Sequence, residues 1–242
     1  MTSNKKTLCV VGGGSGGHVI PCLVLGKRWL EQCPQGSVVL LTNVTQQRQW
    51  FNDALSEMPH QNFSTISLSL GKRSGSGMTQ LFKIPMLVGQ LCASFIKSFM
   101  FLYKLKPEKV ISTGGLVSLP VCLAAWLQCR PIELYELNAE PGLAVKFLAP
   151  FATTIALPFA SAHPSLPAKK CQMHSYPLRY TPADRDDSLF DKNMLLQNLG
   201  FDAHRKTLLI LGGSQGSVSL NKTLKDFFMG TDGAKNSLQV IH

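Results

Sequence analysis

Residues 12–18 read Gly12-Gly13-Gly14-Ser15-Gly16-Gly17-His18 and directly follow a short apolar run, residues 7–11. Two related turns come later, Ser112-Thr113-Gly114-Gly115-Leu116 and Gly212-Gly213-Ser214-Gln215-Gly216, each between an apolar run and a segment of helical spacing. Such a turn presents backbone N–H groups at a helix N-terminus, where a phosphate or a developing anion is stabilised. His18 adds an imidazole that can serve as a general base near neutral pH, or can bond a diphosphate beside Ser15; spacing leaves both roles open. None of the turns carries the Lys-Ser/Thr pair of a P-loop, so ATP hydrolysis is not supported. Gly12, Gly14 and Gly17 formally satisfy G-x-G-x-x-G. A dinucleotide site also wants an acidic residue after the second strand, and Leu40-Leu41-Thr42-Asn43 has none, which disfavours a nicotinamide or flavin.

The elements that must carry these turns alternate. Strand-like runs at 7–11, 37–41, 109–112, 131–135 and 207–211 are followed by helical patterns at 19–33, 46–57, 117–128, 142–147 and 218–229, with Pro21 expected in the first turn of the first helix. A further strand opens at Leu238. This is the pattern of a doubly wound α/β sheet. Five prolines between 158 and 182 and an acidic stretch at 184–191 mark a boundary near Leu178. The expected organisation is a unit over 1–178 and the start of a second over 179–242, with glycine turns facing one another across a cleft. A second unit that ends at its second strand reads as truncated.

Composition narrows the function. The chain has 242 residues, 45% hydrophobic and 16% charged, which supports a large core and excludes disorder. Its net charge is +10, and residues 1–110 hold 12 basic against 4 acidic side chains, so the first half suits an anionic partner. No basic groove interleaved with aromatics is present, which disfavours nucleic acid. The basic residues instead flank residues 81–103, where Phe82, Leu87, Leu91, Phe95, Phe99 and Leu102 recur at helical spacing. That segment is either a helix lying on anionic lipid or a buried helix with a basic rim. No uninterrupted apolar run reaches the ~18 residues of a spanning helix. The N-terminus leaves no room for a signal peptide, and seven cysteines without a C-x-x-C pair read as reduced buried thiols, so a cytoplasmic location is expected. His60, His163, His174 and His204 lack metal-ligand spacing, and no metal or cofactor is expected.

Five segments carry a resemblance in order and spacing: GGGSGGHVIP, STGGLVSLP, YELNAEPGLAVKFLA, YPLR and LGGSQGSVSLN. Together they resemble the MurG family of glycosyltransferases, over about residues 8–242. The resemblance implies a GT-B architecture: a Rossmann-like N-terminal domain with a parallel sheet, then a Rossmann-like C-terminal domain that is incomplete here. It implies inverting, metal-independent transfer of N-acetylglucosamine from UDP-N-acetylglucosamine to lipid-linked muramyl-pentapeptide in peptidoglycan synthesis. It also implies peripheral attachment to an anionic membrane surface, the cytoplasmic face of the bacterial inner membrane.

Carried onto this sequence, the resemblance makes His18 the catalytic residue, and Ser15, Gly16, Gly17, Gly114, Gly115, Glu136 and Asn138 the acceptor-binding ones. Arg179, Ser214, Gln215 and Gly216 would bind the donor diphosphate and stabilise departing UDP. The chain departs from the family pattern at Leu116, where an aromatic is usual, at Tyr135 and Leu137 around Glu136, and at Ser175 and Tyr176 before Arg179. Glu136 could instead bond backbone amides of its own loop, and Ser214 could be a plain helix cap. A non-catalytic or split-enzyme acceptor-binding module is the alternative expectation.

Overall fold

The computed structural model describes residues 6–44, 49–58, 62–68, 84–180, 191–212, 216–230 and 238–241. The chain divides into two compact units, Met1–Arg179 and Tyr180–His242.

The first unit is built on β1 (Thr7–Val11), β2 (Ser37–Thr42), β3 (Phe63–Ser67), β4 (Lys109–Ser112), β5 (Ile132–Tyr135), β6 (Thr154–Leu157) and β7 (Cys171–Met173). They form one sheet in the order β3-β2-β1-β4-β5-β6-β7, every neighbouring pair parallel. A parallel sheet covered on both faces needs strands that are apolar throughout, and β1 meets this with all five residues buried. The direction of winding reverses between β1 and β4. At such a switch point the loops after the two strands diverge and leave a crevice at the carboxyl edge. The first glycine turn follows β1 and the second follows β4, so both open into that crevice.

Helices α1 (Gly16–Gln32), α2 (Gln49–Ser56), α3 (Ile84–Leu105), α4 (Ser118–Leu127) and α5 (Leu143–Leu148) connect the strands. Because α1 already starts at Gly16, Pro21 sits inside the helix and not in its first turn, and it is buried there. One core, including Leu8, Val10, Val19, Cys22, Leu25 and Phe51, lies under α1 and α2; the other, including Val110, Val121, Leu134, Leu148 and Ile155, lies under α3, α4 and α5.

Helix α3 bears on two expectations. Although Gln90 and Lys97 break its apolar runs, residues Pro85–Leu105 are long and apolar enough by length and composition to cross a membrane. Averaged over a whole helix, apolar character survives an isolated polar residue that ends an uninterrupted count. Of the two readings of the apolar stripe, the buried helix is the one that these residues follow. Leu91, Phe95 and Phe99 pack against the core and Leu102 is fully buried in it. The small hydroxyls Ser94 and Ser98 are buried too, while Met86, Val88, Ile96, Met100 and Tyr103 form an exposed apolar face. Phe82 and the basic residues Lys72, Arg73 and Lys83 lie outside the described residues.

The second unit contains α6 (Lys192–Asn198), β8 (Lys206–Leu209), α7 (Val218–Gly230) and β9 (Leu238–Ile241), with β8 and β9 paired in parallel. Asp191 caps α6 by accepting from the amides of Asn193 and Met194. The Gln239 side chain accepts from the Asp202 amide and donates to the Asp202 carbonyl and the Thr207 hydroxyl, which locks the start of β8 onto β9.

Candidate active site

At the switch point the backbone of the first turn depends on glycine for space. Gly14 has φ +86°, and its N–H donates to Asn43 Oδ1 at 2.9 Å. Asn43 thus stands where a dinucleotide site would place an acid, and holds the turn. A Cβ on Gly13 would lie 2.5 Å from that same Oδ1 and from Val117 Cγ1. Gly114 and Gly115 both have positive φ, and a Cβ on Gly115 would stand 2.9 Å from the Gly13 carbonyl oxygen. The two turns are therefore in backbone contact, which only glycine on each side allows.

His18 is held by this contact. Its Nδ1 lies 2.7 Å from the Thr113 carbonyl oxygen. A carbonyl only accepts, so Nδ1 carries the proton, and in the neutral ring Nε2 keeps its lone pair. Thr113 Oγ1 donates back to the His18 carbonyl at 2.8 Å. With the hydroxyl proton used there, the bond between Thr113 Oγ1 and Cys22 Sγ, 3.2 Å long, has the thiol as donor. Burial pushes the Cys22 thiol up to about 12, which keeps that proton in place.

Glu136 follows β5 and is only 1% exposed, and both of its carboxylate oxygens accept hydrogen bonds. Oε1 accepts from the Asn138 backbone amide and from Asn138 Nδ2, and Oε2 accepts from the Gly142 amide, each at 2.8 Å. Such a carboxylate ties the loop between β5 and α5 into one shape and orients Asn138.

These groups share one cleft of about 510 Å³, lined by His18, Thr113, Gly114, Gly115, Glu136 and Asn138 together with Leu116, Leu119, Leu143 and Phe147. Five residues singled out in the sequence thus meet in one place: His18, Gly114, Gly115, Glu136 and Asn138. Ser15, Gly16 and Gly17 lie on the adjoining turn and are not among the lining residues. Ser15 is the N-cap of α1, but its side chain makes no capping bond. The apolar lining at Leu119, Leu143 and Phe147 went unread in the sequence, because leucines and phenylalanines beside a glycine turn look like core.

Arg179 does not reach this cleft's lining. Its Nη2 and Nε donate to the two carboxylate oxygens of Glu57, just past α2. That hydrogen bond, with the adjacent positive charge, lowers the Glu57 carboxyl below its ordinary value. In the second unit Gly216 takes φ +75°, and Ser217 Oγ accepts from the Leu220 amide and so caps α7. Ser214 and Gln215 lie outside the described residues. Among the described residues no group of three or more His, Cys, Asp or Glu could hold a metal ion.

An all-parallel sheet with two glycine turns meeting at its switch point, followed by a second strand–helix–strand unit, is the arrangement of the GT-B fold. The chain belongs to glycosyltransferase family 28, whose N-terminal domain matches residues 8–157. It is 33% identical over 242 residues to the UDP-N-acetylglucosamine–N-acetylmuramyl-(pentapeptide) pyrophosphoryl-undecaprenol N-acetylglucosamine transferase of Halothermothrix orenii, covering 97% of this chain and 60% of the relative. The Thermus thermophilus protein of the same name is 31% identical over 235 residues, covering 97% of this chain and 62% of the relative. The crystal structure of Acinetobacter baumannii MurG superposes with a TM-score of 0.62 at 21% identity, over 98% of this chain and 68% of that one. The chain thus spans about three-fifths of the length of the curated relatives it matches.

Proposed function

We propose that the chain supplies the acceptor-binding and proton-accepting part of an inverting N-acetylglucosaminyltransferase. The donor is UDP-N-acetylglucosamine, and the acceptor is the muramyl-pentapeptide carried on undecaprenyl diphosphate. The observation that carries this reading is His18, fixed at the cleft with Nδ1 protonated by its bond to the Thr113 carbonyl. A neutral imidazole in that tautomer offers a lone pair at Nε2. That suits a general base and does not suit an anion ligand, which needs a donor.

In the proposed reaction the acceptor hydroxyl attacks the anomeric carbon on the face opposite UDP and its proton passes to His18 Nε2. The new glycosidic bond forms as the bond to the UDP oxygen breaks. The first-turn amides of α1 at Gly16 and Gly17, with Ser15, hold the acceptor diphosphate. Gly114 and Gly115 keep the floor of the cleft open, and Asn138, oriented by Glu136, meets sugar hydroxyls. Arg179, Ser214, Gln215 and Gly216 serve the donor, with Arg179 exchanging Glu57 for the diphosphate of UDP. The exposed apolar face of α3, with Lys97 and Lys104 beside it, docks the protein peripherally on an anionic membrane.

The test pairs binding with turnover. Calorimetry of the chain with UDP-N-acetylglucosamine, with UDP-glucose as control, reads donor recognition; transfer of labelled N-acetylglucosamine to the lipid-linked acceptor reads chemistry. His18→Ala should lower turnover by at least about 100-fold while leaving donor affinity nearly intact. Equal losses of both remove His18 from the role of base.

A further inference from the structure

The sequence leaves two roles open to His18, base or diphosphate binder, and the tautomer of its ring decides between them. The group that faces Nδ1 belongs to one peptide plane, the one joining Thr113 to Gly114. Its carbonyl accepts from His18 Nδ1 at 2.7 Å, and its N–H, on the opposite side, donates to Ser112 Oγ at 3.1 Å. The chain is anchored on either side of this plane. Thr113 N–H donates to the Val11 carbonyl at 3.1 Å, and Ser118 Oγ donates to the Gly114 carbonyl at 2.7 Å. Between those anchors the plane could turn over, because Gly114 sits at φ +94° and glycine takes negative φ as readily. Turned over, the N–H would face His18 Nδ1, which would then have to accept. The proton of the neutral ring would move to Nε2, and the lone pair that a base needs would be lost.

We infer that Ser112 is the positioning residue that selects the base form of His18, by holding the Thr113–Gly114 peptide in the orientation that presents a carbonyl to Nδ1. The inference rests on the base reading above and deepens it by naming the residue that keeps Nε2 unprotonated. Ser112 ends β4, is fully buried, and is not among the lining residues of the cleft, so it acts on the chemistry only through this peptide. Burial pushes the neighbouring Cys122 thiol up to about 12, and the hydrogen bond from the Ser112 hydroxyl pulls against it. A bond that favours the thiolate is one in which the hydroxyl donates, so its proton lies toward the sulfur and an Oγ lone pair toward the Gly114 amide. In the turned-over peptide the Thr113 carbonyl would meet that lone pair, and the hydroxyl would have to abandon the sulfur to satisfy it. Without the hydroxyl the balance reverses. The Gly114 N–H would be a buried donor with no partner, and turning over would hand it to His18 Nδ1. The group then left over is a carbonyl, which tolerates burial better than an N–H.

The experiment reads the His18 tautomer from the nitrogen shifts of the 242-residue chain labelled at histidine, above the histidine titration range, with the His18 signals assigned by their loss in His18→Gln. Ser112→Ala should raise the ratio of the Nε2–H to the Nδ1–H form by on the order of tenfold. Gly114→Ala should raise it too, by a different route. A Cβ there meets the His18 ring no closer than 3.5 Å, so the cost is the positive φ, which the turned-over peptide relieves. Ser118→Ala removes an equally buried hydroxyl, but from the next peptide along, and should leave the ratio as in wild type. Circular dichroism and the denaturation midpoint confirm that each variant is folded. Should Ser112→Ala not fold, Gly114→Ala against Ser118→Ala decides in the same way. The inference is overturned if Ser112→Ala keeps the wild-type ratio, or if Ser118→Ala shifts it as far, which makes the effect a general loosening of the turn. A Gly114→Ala chain with the wild-type ratio removes the turning peptide as the route and overturns it likewise. A wild-type ring protonated mainly at Nε2 overturns this inference and the base reading together. If the tautomers respond as stated but transfer to the lipid-linked acceptor does not fall with them, Ser112 still sets the ring and the base reading alone fails.

Discussion

His18 and Thr113 hold each other in both directions: His18 Nδ1 donates to the Thr113 carbonyl at 2.7 Å, and Thr113 Oγ1 donates to the His18 carbonyl at 2.8 Å. The ring and the backbone that carries it are thereby fixed to the loop after β4. Nitrogen NMR of the chain above the histidine titration range should show a protonated Nδ1 and an unprotonated Nε2 at His18. Thr113→Val keeps the carbonyl but removes the hydroxyl, leaving the His18 carbonyl and the Cys22 thiol without that partner. It should cost about 1–3 kcal/mol of stability and bring in the second tautomer. A wild-type ring protonated mainly at Nε2 would remove the basis for its role as base.

Glu136→Gln replaces a carboxylate that satisfies three N–H donors with an amide that has one acceptor atom. One of the donors at Asn138 or Gly142 must then face an NH2 group in a site that is almost fully buried. Stability should fall by about 1–3 kcal/mol, and the loop amides of residues 138–142 should exchange with solvent faster. A urea midpoint within error of wild type, with unchanged exchange, would show that the loop does not depend on this carboxylate.

Gly14 and Gly115 share φ +86° but not surroundings. A Cβ at Gly14 meets nothing within 4 Å, so Gly14→Ala carries only the left-handed backbone cost, about 1–2 kcal/mol. A Cβ at Gly115 meets the Gly13 carbonyl oxygen at 2.9 Å, and backbone there cannot swing aside as a side chain would. Gly115→Ala should therefore be the more destabilising of the two by denaturant titration, and should alter the His18 ring resonances. Equal losses would mean that the two turns do not need their close approach.

Burial pushes the Cys22 and Cys122 thiols from 9.0 up to about 12. A thiol whose folded value is raised contributes stability that is complete below its unfolded value. That contribution is lost as pH rises from about 9 toward 12, because only the unfolded chain ionises there. Each thiol should lower stability by up to about 1.4 kcal/mol per pH unit in that window. Urea midpoints at pH 8, 9 and 10 should fall more steeply for wild type than for the double variant Cys22→Ala, Cys122→Ala. Parallel slopes would mean that neither thiol is held neutral by the fold.

The sequence analysis found β1, β2, β4 and β5 because central parallel strands are rich in apolar residues, and β1 and β4 also end at glycine turns. It missed β3, β6 and β7. Phe63-Ser64-Thr65-Ile66-Ser67 and Cys171-Gln172-Met173 lie at the sheet's two edges, half covered, and so carry little apolar signal. The short Thr154–Leu157 follows a proline-containing turn and lacks a glycine to announce it. His18, Gly114, Gly115, Glu136 and Asn138 were legible because their residue types are unusual for loops that merely connect. Thr113 as the partner that orients His18, and Asn43 as the anchor of Gly14, were not. Both act through bonds between residues 95 and 29 positions apart, which only the pairing of strands brings together. For α3 the helix and its apolar stripe were legible but the choice between lipid and core was not, since apolar residues occur on both sides and the buried serines give no sequence signal.

The two turns that meet around His18 grow from strands that are hydrogen-bonded neighbours at the centre of the sheet, with Val11 paired to Ser112 at their last residues. Both of those residues are fully buried. The relative position of the two turns is therefore inherited from a buried ladder at the centre of the sheet and not from the loops themselves. Breathing at the exposed ends of the molecule leaves that ladder intact. The lifetime of the site's geometry is then the lifetime of the folded unit, and heat should remove both in a single step.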